Sequence, residues 1–387
     1  MRPRETLAAA LLLAHALVAA AAPPPPAPQN APSDAFAAAA AALEAGHASE
    51  ALSRIEVIVA GRPWIVSAHM LRQDALAALG RGDESAQWYA AEAARDPQDT
   101  VKALLAARVS PREGGARESA YRDVFARDPA LVWARIALSY ELTRRARDEA
   151  ARATTLSDGG FPDAARAAQE SAAKARSEAR EFAASAVSMR PDLAAAQAAL
   201  ADTLLGARES VRGQRAADAL RAAEEAARLD PGSATAWERA GRARRAVSDD
   251  QGAVTAFERA AALAPRNAVV FANLGRVLLD LRRDAAARDA LETAARLAPQ
   301  DPVVAMNRGV AQFRLGDLEA AARAFERAAR DAPADPRPFE GQALTLARLG
   351  RREEAAAAME RYLANGGADR DAARQFIERM RASPGAD

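Results

Sequence analysis

The stretch PRNAVVFANLGRVLLDLRRDAAARDALETAARLAP, residues 265–299, holds the plan of the chain. It opens on Pro265 and closes on Pro299, and the same step in numbering leads back to Pro231 and on to Pro333. Gly275 belongs to a column with Gly241 and Gly309, continued by Ala343. Ala287 belongs to another with Ala253, Ala321 and Ala355. Four residues after each of these alanines comes a large apolar residue: Phe257, Leu291, Phe325 and Met359. Ala260, Ala294, Ala328 and Tyr362 follow three residues further on. The proline, glycine and large-apolar columns do not depend on how much alanine the chain contains. A fixed period of about 34 residues therefore organises the fold.

The spacing inside one period is helical. Large residues three and four apart share one face of a helix, so each period carries two amphipathic helices. Proline cannot continue a helix, and its column marks where the second helix of each unit stops. Glycine and alanine at the paired columns let two antiparallel helices approach closely, and overpacking such a contact costs about 1–3 kcal/mol. One hairpin cannot bury its apolar face alone, so stacked neighbours complete a continuous core.

Trp237–Ala240–Gly241, Phe271–Leu274–Gly275 and Phe339–Gln342–Ala343 complete a pattern that resembles the tetratricopeptide repeat. That family shows a large residue, two spacers, a Leu-Gly pair, an alanine, a bulky residue four later, and a closing proline. Arg308 and Gln342 at the leucine position, and Arg244 at the usual tyrosine, depart from the pattern and suggest looser packing in those units. The resemblance implies an all-α solenoid: a right-handed superhelix of about nine hairpins with a concave side lined by the first helix of each.

The N-terminal half spells the same design less regularly. Ala51, Ile55, Ile58 and Pro63 repeat the second-helix spacing, and Ala94-Arg-Asp-Pro97 and Ala126-Arg-Asp-Pro129 close two further units. Trp133, Ile136, Ala137 and Tyr140 repeat the first-helix pattern. From Pro129 the chain runs for nearly two periods before the next closing proline, Pro191. The excess over one period, about 28 residues, adds nearly four turns to each helix of that hairpin when divided equally. Ser157–Asp163 supplies its turn, and its tip is expected to project from the solenoid. The organisation read along the chain is then a signal peptide over 1–22 and a proline-rich linker over 23–33. Three divergent hairpins fill 34–129, an elongated hairpin 130–191, and a hairpin with a loop insertion around Gly206–Gln214 fills 192–231. Four regular repeats span 232–367, and 368–387 form a capping helix and tail, with Ala373, Phe376, Ile377 and Met380 as its apolar stripe.

Arg2 and Arg4 precede an apolar run from Leu7 to Ala22 that ends in small residues. This is the layout of a secretory signal cut after Ala20, Ala21 or Ala22, and the run is short for a membrane span. The expectation is an exported protein, periplasmic or extracellular, with no integral membrane segment after cleavage. The short signal and the bias to 111 alanines and 51 arginines suggest a bacterial source.

Composition excludes several kinds of chemistry. The 387 residues contain no cysteine, so disulfides, thiolate metal sites and cysteine catalysis are ruled out. A net charge of +1 and 5% aromatics argue against a nucleic-acid partner. His47 and His69 lack a second histidine at metal spacing and read as packing residues. Ser171-Ala-Ala-Lys174 has the spacing of a serine nucleophile motif but none of its companion segments. Asp249-Asp250 and Glu224-Glu225 read as solvated charge. No enzyme site, metal or cofactor is expected.

What remains is a surface. Carried over from the family by spacing, the concave face takes Thr235, Glu238, Arg242 and Arg245 from one unit, and Val269, Ala272, Asn273, Arg276 and Leu279 from the next. Val303, Met306, Asn307, Val310, Phe313 and Arg314 follow, then Arg337, Glu340, Leu344 and Arg348. An apolar strip rimmed by arginines marks an interaction site, and arginine suits bidentate carboxylate recognition. The chaperone-binding members of the family clamp a carboxylate with lysines that are absent here. The expectation is a non-enzymatic adaptor of the bacterial envelope that holds a protein or peptide partner. The alternative is a structural subunit that self-associates through residues 145–176.

Overall fold

Eight prolines, at positions 63, 97, 129, 191, 231, 265, 299 and 333, each stand two residues beyond the end of a helix. Proline disfavours helical geometry in the residue before it, so each enforces a stop that hydrophobic periodicity alone would leave open. The computed structural model describes residues 34–110, 115–206 and 212–382. The signal segment 1–22, the linker 23–33 and residues 207–211 of the expected insertion lie outside the described residues. The architecture below is that of the unit Ala35–Asp387.

Among the described residues there are 19 helices and no strand. The first three hairpins pair α1 (Asp34–Glu44) with α2 (Ala48–Gly61), α3 (Val66–Ala78) with α4 (Gly82–Arg95), and α5 (Thr100–Val109) with α6 (Ala116–Arg127). The fourth pairs α7 (Val132–Asp158) with α8 (Pro162–Met189), and the fifth α9 (Ala194–Leu205) with α10 (Gln214–Leu229). The four regular units are α11 (Ala234–Ala246) with α12 (Asp250–Leu263), α13 (Ala268–Asp280) with α14 (Asp284–Leu297), α15 (Pro302–Leu315) with α16 (Leu318–Asp331), and α17 (Arg337–Arg348) with α18 (Arg352–Ala364). A last helix, α19 (Arg370–Arg381), covers the end and buries Ala373 and Phe376. This is the expected solenoid of nine hairpins, one elongated, with a closing helix.

The glycine column has a more specific role than close helix approach. A Cβ on Gly241 would lie 2.7 Å from the Phe257 ring, one on Gly275 2.5 Å from Leu291, and one on Gly309 2.8 Å from Phe325. Each glycine vacates the space that the bulky residue of its own unit fills. The two columns are one joint, small against large, repeated along the array.

The elongated hairpin turns at Gly159-Gly160-Phe161. Along α8 the buried residues are Ala165, Ala168, Ala172, Ala175, Ala179, Ala183 and Ala186, each three or four after the last. From Ala165 to Ala179 that is a heptad seam, and alanine at every buried position brings the two helices close together. At its base the hairpin is tied down by Glu118 on α6, which accepts from Arg145 on α7 at 2.8 Å and from Arg122 at 3.0 Å. Arg122 also reaches Glu178 on α8 at 2.7 Å.

His69 on α3 is buried as expected, and its partners fix its state. Nε2 lies 2.8 Å from the carbonyl oxygen of Pro63, which can only accept, so Nε2 carries the proton. Nδ1 then accepts from the Tyr89 hydroxyl at 3.0 Å. Burial lowers the His69 pKa, and the Arg72 charge adds to the fall against the Pro63 bond. The unfolded chain therefore takes up this proton first. Its contribution to stability is present above the ordinary value near 6.5 and lost as pH falls through the folded value. The urea midpoint should drop between pH 7.5 and pH 5, and the drop should shrink in His69→Gln. An equal drop in both proteins would assign the effect elsewhere. His47 is placed differently, at the exposed start of α2, with Nδ1 3.7 Å from Glu50.

The acidic pairs are also more engaged than solvated charge. Asp249 caps α12 through the Gly252 amide at 2.9 Å. Glu224 pairs with Arg244 at 2.7 Å, which gives the arginine at the family's tyrosine position a partner in the preceding hairpin.

Candidate functional site

The first helices of successive hairpins are laced together about one repeat apart in sequence. Gln73 donates to the Leu105 carbonyl at 2.8 Å, and Arg108 pairs with Asp74 at 2.8 Å. Asn273 donates to Glu238 at 3.1 Å, and Arg245 pairs with Asp280 at 2.8 Å. Arg314 donates to the Leu279 carbonyl at 2.8 Å, and Arg348 reaches the Phe313 carbonyl at 3.5 Å. These contacts join α3 to α5, α11 to α13, α13 to α15 and α15 to α17. They bind the first helices of hairpins two and three, and those of hairpins six to nine, into a wall.

In hairpins seven to nine that wall keeps apolar groups in water. Val269 is 61% exposed, Val303 48% and Leu344 40%. Arg276 is exposed between them, and Met306, Val310 and Phe313 are half-buried. Asn273 is half-buried on Glu238, whereas Asn307 and Leu279 turn into the wall and are buried, so these two present no side chain to a partner.

The arginine rim is not idle. Arg242 lies 3.4 Å from Asp202 and 3.8 Å from Glu238. Arg245 holds Asp280, and Arg314 sits 3.2 Å from Asp284. Arg348 stacks its guanidinium over the Phe313 ring at 4.8 Å. A guanidinium has five donors, so each arginine that bridges two hairpins can still share a carboxylate from outside.

The N-terminal half of the wall carries a second constellation that spacing did not reveal. A cavity of about 720 Å³ opens among Asp74, Arg108, Trp133, Tyr140 and Glu141. Beside it the Asp202 carboxylate on α9 accepts from Arg239 on α11 at 2.8 Å. Burial alone would lower the Arg239 pKa, but Asp202, Tyr140 and Glu238 raise it and hold the guanidinium charged. Burial pushes the Glu238 carboxyl up, while Arg242 and Arg239 pull it back. Asp202 and Tyr140 sit in divergent units, where no column exposes them to a search by period, and their partners Arg239 and Glu238 stand on the first helix of the first regular unit. Asp202 inside an Ala/Leu-rich helix was the available signal. Among the described residues, no group of three His, Asp or Glu side chains is placed to hold a metal ion.

The tetratricopeptide repeat matches residues 239–302 and again residues 272–336. No curated protein sequence matches the chain. Among solved structures, YrrB, described as a tetratricopeptide-repeat protein with an unusual peptide-binding site, is 24% identical. The match covers 51% of this chain and 99% of that one, with a TM-score of 0.44. The Cut9–Hcn1 hetero-tetramer of the APC/C is 15% identical over 87% of this chain and 53% of that one, with a TM-score of 0.52. That second likeness covers most of the chain and speaks to fold alone. MamA is 20% identical over 39% of this chain and 88% of that one, with a TM-score of 0.38.

Proposed function

We propose that this chain, a tetratricopeptide-repeat protein by its matched units and its fold, is a scaffold that holds an extended partner on the wall of hairpins seven to nine. The observation that carries the reading is the exposure of Val269 and Val303, at the same register of consecutive first helices, with Leu344 on the next. A core does not need these side chains, and apolar groups kept in water beside charged ones mark an interaction surface. The partner is an extended peptide or helix with apolar side chains at intervals and at least one carboxylate. Its apolar groups seat beside Met306 and Phe313, which adapt to shape. Its carboxylate is shared by Arg276, Arg314 or Arg348.

The chain acts by binding and carries out no catalysis. On the signal read over 1–22 it is exported, and it serves as an adaptor in the bacterial envelope, most simply in the periplasm. The test is crosslinking in the exporting host, followed by identification of the partner and measurement of its affinity. Met306→Asp combined with Arg276→Glu should weaken that affinity by about tenfold or more, with helicity unchanged by circular dichroism. Undiminished binding by this variant would sink the groove.

A further inference from the structure

In the regular units the side chain that binds a first-turn amide of the first helix stands in one sequence column, and the column breaks at one place. Asn267 turns its side-chain oxygen onto the Val269 amide at 3.1 Å. Asp301 takes the Val303 amide at 2.8 Å, and Asp335 takes the Arg337 amide at 3.0 Å. The member one period before Asn267 is Ser233, whose shorter hydroxyl reaches only the Ala236 amide, at 3.3 Å. The first amide of the helix, that of Ala234, which no cap in the column takes, is bound by a residue from the far end of the chain. The Glu44 carboxylate, on the last residue of α1, accepts from it at 2.7 Å, with Ser233 Oγ 3.5 Å from the same carboxylate.

A second contact lies beside the first. Gly46, in the turn after α1 at φ +86°, is so close to Arg266 that a Cβ there would stand 2.7 Å from its Cδ. Arg266 follows α12, so both contacts fall on the same end of the sixth hairpin. The solenoid turns far enough over five hairpins to bring its first against its sixth. The cavity among Asp74, Arg108, Trp133 and Tyr140 is lined by the hairpins that this contact spans.

We propose that the first hairpin is a releasable latch: Glu44 seated on the N-terminus of α11 closes the turn around the inner wall, and its release opens that wall sideways to a long partner. The seat is strong in kind but small in extent. A carboxylate at a helix N-terminus gains a charge-assisted hydrogen bond and the favourable end of the helix dipole. Against it stand the lost hydration of Glu44 and the like charge of Asp230, both of which push its carboxyl up while the Ala234 amide pulls it down. A contact made of one capped amide and one packed turn can open without unfolding either hairpin.

The latch is tested without any partner, so its fate is separate from that of the groove. The chain has no cysteine, which allows spin labels at Ser49→Cys and Glu258→Cys to report one distance in the full chain. A single short distance is expected in the otherwise unchanged protein. Ser233→Asp gives α11 the cap its sister helices already carry and sets a like charge against Glu44. It should move most of the population to longer distances while leaving the melting temperature of the array in place. Glu44→Ala should do the same, and Glu44→Arg in the Ser233→Asp background should restore the short distance. Retention of the short distance in both Ser233→Asp and Glu44→Ala would overturn the proposal.

Discussion

Phe325→Ala is expected to remove about 3–5 kcal/mol of stability, at the upper end of what a buried phenylalanine contributes. The ring lies between two consecutive first helices at the positions of Gly309 and Gly341, where added Cβ atoms would stand 2.8 and 2.5 Å from it. Because both walls of the resulting cavity are glycine, neither has a side chain that can relax into the space. In an array stabilised by neighbour contacts the loss stays local, so the ninth hairpin and α19 should unfold before the rest. Urea unfolding followed by circular dichroism should split into two steps. Hydrogen exchange should show residues 337–381 losing protection first. A single transition weakened by less than about 1 kcal/mol would show that the joint is not the unit of stability.

Asp202→Ala should cost about 3–5 kcal/mol for the different reason that it strands a charge. The Asp202 side chain is 10% exposed and that of Arg239 20%, so little water reaches the guanidinium once its partner is gone. Removing both partners should be far milder. In Asp202→Ala with Arg239→Met the uncompensated charge disappears, and most of the loss should be recovered. Urea midpoints of the two variants decide it. If the double variant is as unstable as the single one, Asp202 acts through packing and not through its pairing with Arg239.

Much of the fold could be read from the chain because its signals are local and repeated. The proline column marks helix ends, the glycine and bulky columns mark joints, and the stretched interval from Pro129 to Pro191 put the turn of the long hairpin near Gly159. Each depends on residues within a period or two of each other. The exposed valines at 269 and 303 were legible for the same reason. What was not legible depends on geometry accumulated over several units. Whether Arg245 faces a partner or grips Asp280 is decided by the offset between neighbouring helices. The meeting of Glu44 with Ala234 is decided by a small rotation per hairpin, summed five times. Asp202 lies in a unit whose columns have drifted, so nothing in its spacing announced the pair with Arg239.

The alanine seam of the long hairpin has a consequence for how such a protein changes over generations. Its surplus over one period, about 28 residues, amounts to two heptads in each of two helices. Insertions of one heptad in both helices keep every seam alanine facing the opposite helix and leave the hairpin's base unturned. Insertions of other lengths rotate one helix against the other and put arginine or glutamate into the seam. The arm can therefore lengthen or shorten between descendants in quanta of one heptad per helix, while the solenoid that bears it stays as it is.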